Sequence, residues 1–377
     1  MRVSSVAARL ALLTFAAAFP AVPALAADEP AVLPPLATIS ILTSTVPGNG
    51  DVNPYGMAQV KRSTGNLVAG NILISNFNNS SNLQGTGTTI VQVAPDGTLS
   101  LFASLSAASL PGPCPGGVGL TTALVVLRSG WVIVGSLPTT DGTAATAQAG
   151  CLIVLDSMGN AVETFSGPLV NGPWDMTARD DDRHAKLFVT NVLNGTVAAN
   201  GAVVNGGTVT RLDLKVSEGA MPQLESITVI ASGFAERTDP VALVIGPTGV
   251  GLSEERGEDD DGSRLYVADT LNSRVVAIDG ALGRSSSAGT GHTLSAGGSL
   301  NGPLGLTVTP GGEVLTVNSG DGFITEITPD GRQVAKAQLD SSGSPPGAGA
   351  LFGLVFDPRH GVYYVDDATN TLNLLHH

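Results

Sequence analysis

Charge is the first thing this chain lacks. Only 13% of its 377 residues are Asp, Glu, Lys or Arg, about half the usual share. The 18 basic residues are outnumbered by 32 acidic ones, giving a net charge of −14. Such a field repels nucleic acid and anionic lipid, so neither is an expected partner. Aromatics are scarce at 4%, with two tryptophans and four tyrosines. Histidine is scarcer still: His184, His292, His360, His376 and His377 are all there are, with no His-x-His or H-E-x-x-H spacing. A zinc site is therefore not expected. No G-x-S-x-G occurs, which removes the usual serine-hydrolase elbow. The acidic runs at 179–183 and 258–262 lack the D-x-D-x-D-G spacing that wraps calcium and read as solvated hairpin tips.

Beyond the leader there is no apolar run of the roughly 18 residues a membrane helix needs, so no membrane insertion is expected. The leader itself has Arg2 and Arg9, an apolar run at 10–19 and an A-x-A site at Ala24 and Ala26. It reads as a secretory signal cleaved after Ala26, which implies a periplasmic or secreted protein. In that compartment the only two cysteines, Cys114 and Cys151, are expected to form a disulfide.

Glycine (48 residues) and proline (23) are what the chain has in abundance. With few long helix formers, they argue for an all-β protein. They also punctuate a repeat. The runs "ILISN" (72–76), "VIVGS" (132–136), "LFVTN" (187–191), "LYVAD" (265–269), "VLTVN" (314–318) and "VYYVD" (362–366) are each β-prone and each close on a small polar residue. Those closing residues are Asn76, Ser136, Asn191, Asp269, Asn318 and Asp366. The stretch 303–338 divides into four strands joined by Pro-Gly-Gly and Pro-Asp-Gly turns, the size of one propeller blade. The last unit has material for three strands only, while "ATISILTSTV" at 37–46 is a strand with no unit of its own. Donated to the last unit, it closes a ring and removes an open sheet edge; an open solenoid would have no use for it. The expectation is a six-bladed β-propeller of four-stranded antiparallel blades. The blades are placed at roughly 51–103, 118–167, 171–233, 239–298, 301–340 and 347–377 plus 37–46, following the leader at 1–26.

The segment "LYVADTLNSRVVAID" at 265–279 resembles an NHL repeat through Asp269, Asn272, Arg274 and Val275, and 301–331 is similar without the arginine. The resemblance implies a propeller but no particular activity. Its geometry sets the six polar residues around one channel mouth, with the lead-ins to the inner strands beside them. Tyr55, Trp174, Asp175 and Phe352 lie in those lead-ins. The expected ligand surface is therefore Tyr55, Asn76, Trp174, Asp175, Asn191, Asp269, Asn318 and Asp366, serving a protein or small-molecule ligand on a monomer, with no cofactor. The alternative is a lactonase-like hydrolase or lyase with calcium or another divalent cation on Asn191, Asp269, Asn318 and Asp366. Lactonase-like propellers carry a glutamate near the first inner strand, where this chain has "NPYGMAQV" at 53–60. Within each polar-ended run, the same Asn or Asp could instead simply hold a turn by accepting backbone N–H bonds.

Overall fold

The structure is a computed structural model that describes Met1 and residues 31–181, 183–217, 219–253 and 262–377. Residues 2–30, which include nearly all of the leader expected at 1–26, and most of the acidic run at 258–262 lie outside the described residues. Residues 31–377 form one unit. Its described residues form 25 strands in six antiparallel sheets.

Strand β1 (Thr38–Ser44) is not part of the first blade. That blade is β2 (Val52–Gln59), β3 (Ile72–Asn78), β4 (Thr89–Val93) and β5 (Leu99–Ser104). The second comprises β6 (Leu120–Val126), β7 (Val132–Ser136), β8 (Cys151–Leu155) and β9 (Ala161–Phe165). The third has five strands: β10 (Pro173–Asp180), β11 (His184–Asn191), β12 (Val204–Ser217), β13 (Ala220–Asp239) and β14 (Leu243–Ile245). The fourth is β15 (Pro247–Ser253), β16 (Arg264–Asp269), β17 (Arg274–Asp279) and β18 (His292–Ala296). The fifth is β19 (Pro303–Val308), β20 (Val314–Asn318), β21 (Phe323–Ile327) and β22 (Gln333–Gln338). The sixth is β23 (Leu351–Asp357), β24 (Gly361–Asp366), β25 (Thr371–His376) and, on its outer side, β1.

Register along β1 and β25 runs from Thr38 opposite His376 to Ser44 opposite Thr371. This is the donated strand expected from the sequence, and it closes the ring. The third and fourth blades meet later than expected. Residues 239–245 do not open the fourth blade; they end β13 and form β14, where Asp239 pairs with Leu243. The reason is the unusual length of β12 and β13, 14 and 20 residues, which carries their sheet beyond a normal blade.

The core lies between blades. One buried cluster joins first-blade residues such as Leu73 and Ile90 to second-blade residues such as Val132 and Ile153, and others repeat the arrangement around the ring. Alternate strand residues face the two neighbouring blades, so second strands are apolar on both sides. β3 and β7 are buried throughout. The disulfide joins Cys114, ahead of the second blade, to Cys151 on β8.

One irregularity recurs in all six blades. Each innermost strand pairs its anchor residue with the polar residue ending the second strand and then bulges: Pro54 with Asn76, Leu120 with Ser136, Pro173 with Asn191, Pro247 with Asp269, Pro303 with Asn318, Leu351 with Asp366. The bulged sequences are "PYGM", "LTTAL", "PWDM", "PTGV", "PLGL" and "LFGL". Bulges bend a strand and redirect its side chains. Here they bring adjacent inner strands into close approach. A Cβ on Gly305 would lie 1.9 Å from the Phe352 carbonyl oxygen, and one on Gly353 would lie 2.2 Å from that of Tyr55. Only glycine fits such contacts.

Candidate functional site

The recurrent bulge divides the ring axis into two halves of different character. On the face where the six polar residues end their strands, the axis is filled. Tyr55 stacks on Phe352 (centroids 4.1 Å apart) and on Phe77 (4.5 Å), with Trp174 tilted against it at 6.1 Å. Leu137, Val192, Leu243, Val244 and Leu304 complete this apolar plug. Its last pieces come from the loop that the long third-blade hairpin sends back. Leu243 is 2% exposed in a left-handed backbone conformation (φ 63°), and Gln84 ties the loop down by donating to the Val241 carbonyl at 2.6 Å. Burial, with the negative charge of Asp367, raises the Tyr55 hydroxyl pKa far above its ordinary value.

The sequence placed Tyr55, Trp174 and Phe352 as walls of an open mouth. The structure brings these three together, but as a packed cluster, with Tyr55 and Trp174 5% and 6% exposed. The polar residues do encircle the axis, one per blade, yet all six are buried. Four of them fasten the loop that leads into their own blade. Asn76 Nδ2 donates to Thr45 O at 3.2 Å, Ser136 Oγ to Gly117 O at 2.8 Å, Asn191 Nδ2 to Leu169 O at 3.3 Å and Asn318 Nδ2 to Ser299 O at 2.8 Å. Asp366 Oδ1 accepts from the Thr369 amide at 3.2 Å. Asp269 accepts from Asn272 Nδ2 at 3.0 Å and from Arg274 Nε at 2.7 Å. Its place at the end of the first apolar run is thus a matter of holding the turn and the arginine that follows.

These contacts also decide whether Asn191, Asp269, Asn318 and Asp366 fit a shared cation. They sit in four different blades, and each makes side-chain bonds within its own blade, although Asn191 Oδ1 is buried with no partner in the protein. Among the described residues no three His, Cys, Asp or Glu side chains are grouped to hold a metal. The four residues do not fit the cation, and no chemistry is derived through it.

The other half of the axis is open. A cavity of about 250 Å³ extends from the bulges toward the face of the turns that join each blade's first and second strands. At its closed end the six blades contribute the second residue after the anchor. Four are glycines, Gly56, Gly249, Gly305 and Gly353; the other two are Thr122 and Asp175. Without side chains at four places, Asp175 has room before it. Its Oδ1 accepts from its own blade's Met176 amide at 2.8 Å and its Oδ2 from the next blade's Val250 amide at 3.0 Å. Burial nevertheless dominates and pushes the carboxyl up to about 7, against those two bonds. Beside it in the ring, Thr122 Oγ1 is buried with no partner in the protein. Thr177 and Thr307 add hydroxyls along the wall, and exposed Lys61 marks the rim. There Lys61 meets Gln59, whose Nε2 donates to Asp357 at 2.6 Å.

Asp175 therefore belongs to the expected set but faces the opposite way from the rest of it. Thr122, Gln59 and Lys61 were missed. The signal that could have found Thr122 and Asp175 was the anchor-x-Gly pattern of the inner strands, with these two as its exceptions.

No protein-family profile matches the chain, and no curated protein matches it by sequence. Solved structures do match its shape. A gluconolactonase from Xanthomonas campestris superposes with a TM-score of 0.52 at 13% identity, over 90% of this chain and 89% of that one. The calcium-binding protein regucalcin from Agrobacterium tumefaciens gives 0.53 at 14%, over 90% and 94%. A luciferin-regenerating enzyme gives 0.54 at 10%, over 89% and 94%. At such identities the likeness establishes the architecture. The chain is a six-bladed β-propeller with lactonase-like structural neighbours.

Proposed function

We propose that the chain, exported after cleavage near Ala26, is a hydrolase acting on a small polar molecule admitted to the central cavity. One observation carries this reading: a buried carboxyl with a pKa near 7 stands beside an unpartnered hydroxyl at the closed end of a cavity open to solvent. A group poised near neutral pH is suited to general acid–base work. For a lactone substrate, Asp175 as carboxylate takes a proton from water as the water oxygen bonds to the carbonyl carbon. The ring C–O bond then breaks, and the leaving oxygen receives the proton back. Thr122 Oγ1 is placed to hydrogen-bond water or substrate next to Asp175. The solved neighbours support the choice of substrate class, since one of them is named a gluconolactonase.

The test is proton release from glucono-δ-lactone and simpler lactones by the purified mature chain, corrected for spontaneous hydrolysis. Turnover that falls at least 100-fold in Asp175→Asn and 10-fold in Thr122→Val supports the reading. Turnover unchanged in both variants, or absent with every lactone, refutes it. Ligand binding without turnover is the second reading. It is favoured by the lack, among the described residues, of a second acidic side chain lining the cavity. Calorimetric binding of lactones or hydroxy acids without hydrolysis would establish it.

A further inference from the structure

The segment that completes the plug is a strap peculiar to the third blade. It leaves β13 after Asp239, turns at Pro240, runs over the aromatic cluster and returns as β14. Among the described residues no other blade has a fifth strand. Leu243 and Val244 are pressed into the plug, 2% and 3% exposed, while Val241 at the tip is 80% exposed. Leu243 holds its left-handed conformation at φ 63°, which a bulky side chain rarely adopts. Outside the plug the fastening is slight. Three residues pair with β13, Asp239 Oδ1 accepts from the Val241 and Ala242 amides at 2.8 and 2.9 Å, and Gln84 bonds the Val241 carbonyl.

Packed against the strap's return is Glu236 of β13, whose residue exposure is 0%. Its Oε1 accepts from the Asn194 amide at 3.0 Å, and its Oε2 is buried with no partner in the protein. Backbone closes around it. A Cβ on Gly206 would lie 2.8 Å from Oε1, and one on Gly246, just past β14, would lie 3.0 Å from the Glu236 Cβ. The segments packed on this carboxyl, 192–207 and 243–247, contain no titratable residue. On its own strand Arg237 and Asp239 pair with each other, Nη1 to Oδ2 at 2.7 Å. Asp141, in the second-blade loop that touches β13, is exposed. A carboxylate buried with one hydrogen bond and no counter-ion is disfavoured against its neutral acid. Burial accordingly pushes the Glu236 carboxyl up to about 7, against that single bond.

We propose that the strap is a pH-operated latch: it stays docked on the plug while Glu236 is neutral, and ionisation of Glu236 lifts it away, admitting water to Tyr55 and Trp174. On lifting, the acid gives its proton to water and the carboxylate is solvated where Gly246 had covered it. The sign follows from linkage. A carboxyl that binds its proton more tightly in the docked state favours docking at low pH. That contribution is complete below the ordinary value near 4 and is lost as pH rises toward about 7. Lifting also frees Leu243 from its left-handed conformation. The latch works on the sealed half of the axis and is independent of Asp175 and of the proposed hydrolysis.

Hydrogen exchange of the full mature chain is followed by mass spectrometry from about pH 5 to about pH 8, with protection corrected for the intrinsic pH dependence of amide exchange. The amides of 241–245 should lose about 30-fold or more in protection between about pH 5 and about pH 7.5, while those of β16 and β17 keep theirs. In a Trp131→Phe background Trp174 is the only tryptophan, and its quenching by acrylamide should rise over the same range. Glu236→Gln, neutral throughout, should hold strap protection level to within about threefold and keep Trp174 shielded. Gln84→Ala removes the tie and leaves the carboxyl in place. It should speed strap exchange at every pH and preserve the pH dependence, a result that also decides the matter if Glu236→Gln does not fold. The proposal fails if strap protection ignores pH, or if its pH dependence survives in Glu236→Gln or disappears in Gln84→Ala. It fails equally if β16 and β17 open in step with the strap.

Discussion

The two faces of the ring treat polar residues in opposite ways. On the plugged face Asn76, Ser136, Asn191, Asp269, Asn318 and Asp366 are buried and bonded to loops of their own blades. In the open half, the one carboxyl among the described residues lining the cavity, Asp175, is held by two amides and pushed up to about 7 by burial. A ring of repeated chemical type is thus the scaffold, and the two exceptions to a ring of glycines, Thr122 and Asp175, are the candidates for chemistry. Repetition marks what every blade needs to be built. A departure from it marks what only one blade does.

That contrast can be broken experimentally. The largest effect is expected in the plug, where Trp174→Ala should cost about 4 kcal/mol in urea denaturation, as for other buried large-to-small aromatic changes. A loss below about 1 kcal/mol would show that the aromatic cluster is not a packed seal. Replacing Cys114 and Cys151 together by serine removes a cross-link spanning 37 residues, with an expected loss of about 3–4 kcal/mol on the chain-entropy account. Next comes Asp269→Ala, which strands Asn272 and Arg274. Because Arg274 is partly exposed, about 2 kcal/mol is expected, below the range for a fully buried pair. Cavity chemistry and ligand binding should be untouched; altered activity in this variant would return the polar ring to the functional site.

The smallest effect is a matter of slope. A carboxyl whose pKa is higher in the folded chain binds protons more tightly there. Its contribution is complete below the unfolded value near 4 and is lost as pH rises toward about 7. Asp367 and Glu236, each also pushed up to about 7 by burial, act in the same direction. Asp175→Asn should therefore flatten, without abolishing, the fall in urea midpoint between pH 4 and pH 7. An unchanged slope would place Asp175 in water.

Much of the fold was legible because blades repeat. Polar-ended strands and Pro-Gly turns recur at intervals, and a lone N-terminal strand pairs with a three-stranded last unit. The boundary near 239 was not legible, because β13 continues through a segment of mixed polarity and turns back only at Pro240. Asp175 was legible as a residue of interest, but its direction was not. A bulge after Pro173 shifts the register between Pro173 and Met176, so counting alternate positions from the strand end gives the wrong face.

The linear order of residues determined the number of blades, the closure of the ring and the cysteine pair, because each rests on local patterning and on counting. Which end of the axis is sealed was decided only in three dimensions. Six bulged strands must meet before Tyr55, Phe77, Trp174 and Phe352 can exclude water together, and only then is Asp175 left alone at the bottom of the half that stays open.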